Sequence, residues 1–184
     1  MFRKIFTLVA FCSLMASTGF AQGKTYFTKT GKITFFSQAT LEDIEARNST
    51  ATVMLESHKG AVQFAVQMNG FEFDKKAMQQ HFNDSYVESE KFPKSEFVGH
   101  ITNNKDINYH KDGSYNAKVK GKLTIHGVTK DVDADGTIKV SGGKLSLNSV
   151  FHVALADYNV KTIKDKIADK IKVTVDCGLE EYKK

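Results

Sequence analysis

Large apolar side chains recur at every second position along most of this chain. In Ala61–Met68 they fall at Val62, Phe64, Val66 and Met68, with small or polar residues between them. Successive side chains of an extended backbone point to opposite sides, so period 2 predicts a strand with one dry and one wet face. The same alternation joins Tyr115, Ala117, Val119, Gly121, Leu123 and Ile125, with lysines at 118, 120 and 122 between them. It joins Val132, Ala134, Gly136, Ile138 and Val140, then Leu145, Leu147, Phe151, Val153 and Leu155, and last Ile171, Val173, Val175 and Cys177. With Gly31–Ser37, Thr50–Ser57 and Glu96–Asn103, this makes about eight strands.

Turn signals at His58-Lys59-Gly60, Lys111-Asp112-Gly113 and Ser141-Gly142-Gly143 separate them. No long helical crossover intervenes, so the pairing is expected to be mostly antiparallel. One-sided strands in this number close into a barrel or split into a sandwich, and long strands favour tilted barrel staves. The expected fold is mainly β: an eight-stranded antiparallel barrel with one or two short helices.

Two helical pieces are predicted. Thr40-Leu41-Glu42-Asp43 resembles a capping box opening a short helix through Ala46. Asp74 reads as the N-cap of a helix to about Phe82, with Phe73 and Met78 as a hydrophobic staple and Met78 and Phe82 on one face. Asn83–Lys94 reads as a loop holding Pro93, the single proline.

Two segments carry a resemblance. Met78-Gln79-Gln80-His81-Phe82 is followed by Glu88-Ser89-Glu90-Lys91-Phe92-Pro93-Lys94-Ser95-Glu96-Phe97, and later comes Leu123-Thr124-Ile125-His126-Gly127-Val128-Thr129-Lys130. Together they resemble the YceI-like family, over about Gly31 to Leu179. The resemblance implies a lipocalin-like barrel with a long apolar cavity, in exported proteins that hold polyisoprenoid or other long-chain amphiphiles. The Thr40–Ala46 insert departs from the family's minimal pattern and bears on one barrel mouth.

The candidate apolar lining consists of Phe35, Val53, Leu55, Val62, Phe64, Val66, Met68 and Phe97, with Phe73, Met78 and Phe82 from the helical region. The later strands add Ile101, Val119, Leu123, Ile138, Leu147, Phe151, Val153, Val173 and Val175. Small residues such as Ala117, Gly121, Ala134 and Gly136 facing Phe64, Phe97 and Phe151 fit a tunnel and fit interlocked packing equally well. A tail inside would gain roughly 0.8 kcal/mol per buried methylene, so ten offer about 8 kcal/mol before ordering and association costs. The helix at 73–82 reads as a lid at the barrel mouth or as a plug on the core.

The N-terminus changes the composition. Arg3 and Lys4 precede the apolar run Ile5–Ala16, and Gly19-Phe20-Ala21 offers a cleavage site. Residues 1–21 read as a secretory signal peptide and residues 22–184 as one domain, periplasmic or secreted. Phe11 before Cys12 does not suit a lipoprotein site. Losing 21 of 184 residues leaves 163, and losing Arg3 and Lys4 takes the net charge from +5 to +3. Cys177 is then the one cysteine left, so no internal disulfide is available and the core alone must hold the fold.

Candidate chemistry is sparse. His58, His81, His100, His110, His126 and His152 form no close ligand pair, so no metal and no cofactor are expected. For His126 a hydrogen bond beside a turn is the plainest role. No Gly-x-Ser-x-Gly elbow or phosphate loop occurs, and Glu88 and Glu90 read as a solvated charged turn. Cys177 reads as a buried small hydrophobe. Lys161–Lys172 is lysine-rich but carries Asp165 and Asp169 and lacks aromatics, so it reads as a solvated loop and not as a nucleic-acid surface. Transient contact with anionic lipid heads and a homodimer stay open.

The chain is therefore expected to bind a long-chain isoprenoid or fatty-acyl amphiphile for sequestration or transport, without catalysis. Two alternatives stand beside it. One is a structural or stress-response module with a filled barrel. The other is a hydrolase or isomerase using the barrel as its pocket, which would need inward polar groups.

Overall fold

A computed structural model describes residues 23–163 and 166–183; the leader expected over residues 1–21 lies outside the described residues. Eight long strands form a closed circuit. In chain order they are β1 (Thr25–Ser37), β2 (Ile44–Glu56), β3 (Ala61–Gln67), β5 (Lys94–Ile101), β6 (Gly113–Ile125), β7 (Val128–Ser141), β8 (Lys144–Ala154) and β9 (Lys170–Glu181), with a two-residue β4 (Glu72–Phe73) between β3 and β5. Each long strand pairs antiparallel with the next, and β9 returns to β1, so the sheet closes into a barrel with β4 added beside the start of β2. Closure removes the exposed sheet edge that an open array of such strands would present.

The segment read as a short helix over Thr40–Ala46 is instead a hairpin connection. Ser37 pairs with Ile44 and Phe35 with Ala46, so β2 begins at Ile44 and only residues 38–43 turn. Asp43 accepts the Ala39 N–H, a local turn contact that replaces the expected cap. A nucleus this short gains too few helical bonds to compete with strand pairing. The alternation of β2 was masked because one inward position is Asn48. It is fully buried, its amide donating to the Gln67 carbonyl at 2.9 Å and its oxygen accepting the Thr50 N–H at 2.8 Å.

The helix after β4 is real but shifted. Pairing of Glu72 and Phe73 with Arg47 and Ala46 holds the chain extended, so α1 (Lys76–His81) starts after Lys75 and Asp74 is not its N-cap. Met78 therefore does not occupy the expected staple position, and the Phe73 ring packs on Phe35 and Phe82. The helix continues as a wider π turn over Phe82–Tyr86, where Val87 N–H bonds the Phe82 carbonyl, so Asn83–Tyr86 is helical and the loop begins at Val87.

The two barrel ends differ. Around the strand ends near Tyr26, Ile101, Val140, Leu145 and Leu179, the 102–112 connection folds inward and buries Ile107 and Tyr109. Tyr109 stacks on Tyr26 at 6.4 Å and donates to Asn104 at 2.7 Å. This end is a packed floor. The opposite end carries residues 38–43, α1 with its extension, the 126–127 turn and the described residues of the connection between Leu155 and Asp169. Outside, cross-strand pairs such as Lys120–Asp133 at 2.9 Å and Lys122–Asp131 at 2.8 Å line the wet face of β6 and β7.

Candidate ligand-binding site

The barrel is hollow above its floor. A cavity of about 560 Å³ lies inside it, within the range of small-molecule sites. Inward alternate positions of the eight staves line it, and α1 and the connections at the far end frame its mouth. Nineteen of the twenty candidate lining residues border it: Phe35, Leu55, Val62, Phe64, Val66, Met68, Phe73, Met78, Phe82, Phe97, Ile101, Val119, Leu123, Ile138, Leu147, Phe151, Val153, Val173 and Val175. Val53 does not. It pairs with Thr28 and Phe64 and is fully buried beside Gly31, where its methyl, with the Cys177 thiol and the Ala51 carbonyl, takes the space that a side chain on Gly31 would need.

Other lining residues were absent from that set. Ile33, Val132, Ala134 and Ile171 lie on strand alternations and were findable from them. Leu41, Val87, Val160 and Ile167 lie on irregular connections, where no period marks an inward side chain, and Tyr86 ends the π turn. The polar lining is confined to a few places. Ser37, Glu42, His81, Ser95, Glu96 and Lys166 come from the strand ends and connections of the mouth region, and Thr137, Asn148 and Ser149 come from β7 and β8.

Large and small inward residues do two different jobs. Gly99 and Gly121 face each other across β5 and β6, and the Phe97 ring lies against both; a Cβ on either would stand 2.5–2.6 Å from that ring. Those glycines are a seat for Phe97, which meets Phe64 edge-on at 6.2 Å. Ala117, Ala134 and Gly136, by contrast, border the cavity. Near the mouth Phe35, Phe71, Phe73 and Phe82 form a ring cluster with centroids 5.1–5.7 Å apart.

Connections at the mouth are tied together. Lys75 beside α1 pairs with Glu42 of the 38–43 turn. Ala168 N–H donates to the buried Ser37 hydroxyl at 2.9 Å, fixing the lysine-rich connection to the end of β1. The described residues of that connection are irregular up to β9, but the stretch read as a solvated loop over Lys161–Lys172 is partly turned inward: Lys166 and Ile167 border the cavity, Ile163 is exposed, and Lys170–Lys172 belong to β9.

The two quoted sequence segments meet at this end. His126, at φ 49°, sets both ring nitrogens against oxygen acceptors: Nε2 lies 2.7 Å from the Glu88 carboxylate and Nδ1 3.3 Å from the Tyr158 carbonyl. Phe92 packs edge-on to the His126 ring at 4.5 Å and leaves no room for a side chain at Gly127, which also has positive φ. Glu88 is thus half-buried and structural, not part of a solvated turn, while Glu90 is exposed. The His126 hydrogen bond, aided by Lys91 and Lys161, holds the Glu88 carboxyl below its ordinary range.

Cys177 is fully buried, its thiol directed at the Lys32 carbonyl, and burial pushes its pKa up to about 11. It is not poised as a nucleophile. Among the described residues no three His, Cys, Asp or Glu side chains converge as metal ligands.

The YceI-like domain family profile matches residues 15–179. The chain is a member of the YceI-like family. Among solved structures, a polyisoprenoid binding domain from Saccharophagus degradans, implicated in plant cell wall breakdown, superposes with a TM-score of 0.75 at 12% identity, covering 87% of this chain and 99% of that one. BcnA of Burkholderia cenocepacia gives 0.65 at 20% identity, covering 81% and 94%. The YCEI protein of Campylobacter jejuni gives 0.57 at 18%, covering 73% and 81%. No curated protein matches the chain. At these identities the likeness establishes the barrel, and the YceI-like barrel here has its own lining and mouth.

Proposed function

We propose that this YceI-like protein is an exported carrier that holds a long-chain isoprenoid or fatty-acyl amphiphile in its barrel and moves or sequesters it in an aqueous compartment. One observation carries the reading: the barrel interior is an apolar cavity of about 560 Å³, closed by a packed floor at one end and open among α1 and the connections at the other. A filled barrel, the first alternative, does not fit that cavity. Family membership and the structural likeness to a polyisoprenoid binding domain support the same ligand class.

Binding follows from the lining. Each methylene leaving water contributes roughly 0.8 kcal/mol, and the walls offer carbon on every side. The walls hold few hydrogen-bond partners, so affinity scales with chain length and the polar head group belongs at the mouth, near Glu42, His81 and Lys166. Among the described residues the cavity lining sets no ionisable cluster against a nucleophile, and in this reading the cargo leaves unchanged. Export, and a periplasmic or secreted location, rest on the leader-like N-terminus.

The test is extraction of the purified protein with organic solvent and mass spectrometry of the extract, followed by uptake of a fluorescent acyl or polyprenyl probe. Release of a long-chain lipid and saturable uptake are expected. No released lipid together with no uptake would overturn the proposal.

A further inference from the structure

The barrel wall is not continuous. The ladder between β7 and β8 runs from Ser141↔Lys144 to Gly136↔Ser149 and stops there. Beyond that rung β7 continues from Asp135 back to Val128, paired only with β6, and β8 continues from Val150 to Ala154, paired only with β9. The two strands fork. At the apex the Ser149 hydroxyl donates to the Asp135 carbonyl at 2.6 Å, a last bridge where backbone pairing fails. Higher up, the fork is filled by Leu155 and Tyr158, which pack with Ile125 and Val128.

The apex is open to the cavity. Thr137 and Asn148 alternate with the inward Ile138 and Leu147, so they belong to the outer face, yet both border the cavity. The cavity thus reaches the wall within one rung of the place where the β7–β8 ladder stops. Gly136 sits at that break; a Cβ there would stand 2.8 Å from the Asn148 carbonyl, so any side chain would crowd the gap.

The position of the apex gives it a use. Gly136 pairs with Ala117, the lining residue of β6 farthest from the mouth, so the fork opens at the deep end of the cavity. From Ala117 to Ile125 the lined part of β6 is ~27 Å along the strand, or ~20 Å along the axis at a tilt of ~40°. An extended carbon chain advances ~1.25 Å per bond, from bonds of ~1.52 Å at ~111°. The cavity therefore spans about sixteen extended carbons by the same geometry.

We propose that the β7–β8 fork is a second opening, through which the tail of an amphiphile longer than the cavity leaves the barrel, so that chain length is not limited by the floor. This rests on the lipid-carrier reading and adds to it that the preferred cargo exceeds the cavity in length.

The test closes the fork from outside. Asp135 and Val150 are exposed, outside the cavity lining, and flank the last rung. The double variant Asp135→Cys, Val150→Cys is bridged by oxidation or a short bis-maleimide, with bridging verified by mass spectrometry. Equilibrium binding of a dodecyl amphiphile and of decaprenyl alcohol is then compared with the unbridged form. Unchanged dodecyl binding with decaprenyl binding weakened roughly tenfold or more, restored by reduction of the oxidised form, is expected. Equal decaprenyl binding in both forms would overturn the fork while leaving the carrier reading intact. Binding of neither probe by the unaltered protein would overturn the carrier reading itself. A bulky maleimide on Val150→Cys alone provides the same comparison without a cross-link, and loss of decaprenyl binding on labelling is again the expected result.

Discussion

Val66 stands on the cavity wall near the mouth side of β3, buried and paired with Ser95 of β5, which supplies no counter-charge. Val66→Arg should abolish probe uptake while circular dichroism still reports the strand content, because a guanidinium in an apolar cavity either fills the space or draws in water. Uptake unchanged in the folded variant would place the ligand elsewhere. Gly121 makes a different case. Its Cβ would meet the Val98 carbonyl at 2.5 Å and the Phe97 ring at 2.6 Å, so Gly121→Ala should cost about 1–3 kcal/mol in urea denaturation. Phe97→Leu in the same chain should recover only part of that, since the carbonyl stays in place. The apolar side of each strand could be read from alternation. That Gly121 seats a ring while Gly136 borders the cavity could not, because the two glycines are alike in sequence and differ only in what the neighbouring strand sets beside them.

At the scale of elements, the junction of Glu88, Phe92, His126 and Gly127 joins the loop after α1 to the β6–β7 turn and to the connection after β8. Its residues were prominent in the sequence as members of two motifs, but their contact spans 38 positions and leaves no local trace. Glu88 has a lowered folded pKa, so its contribution to stability is present above its ordinary value of 4.5 and is lost as pH falls through the lower folded value. The melting temperature of the unaltered protein should therefore exceed that of Glu88→Gln at neutral pH, and the two should draw together as pH falls below 4.5. Parallel curves across that range would mean the carboxylate is not engaged. The shifted start of α1 and the absence of a helix over Thr40–Ala46 have one cause. Capping signals are local, and in both places pairing with β2, from β4 and from β1, holds the chain extended.

For the whole molecule, no disulfide is available to the described chain, since its one cysteine, Cys177, is buried and free. The barrel is held by closure and by its lining, and the hollow part of that lining forgoes contacts that a filled core would make. Ligand should return some of them. Stripped protein should melt below the lipid-loaded form, and a probe at a hundredfold excess over its Kd should add about 2.7 kcal/mol. A melting temperature that does not respond to saturating probe would place binding outside the folded barrel.

The sequence by itself determined most of the strands, their antiparallel pairing and the face most of them turn inward, because period 2 and tight glycine turns are properties of neighbouring residues. Nineteen of the twenty residues it marked as lining border the cavity. Only the tertiary structure decided that the barrel is hollow above a packed floor, that Val53 falls outside the lining, and that the wall parts between β7 and β8. Those outcomes depend on how far the strands tilt and where each ladder ends once the sheet closes. Tilt and closure are set by contacts between residues far apart in the chain, and no local pattern records them.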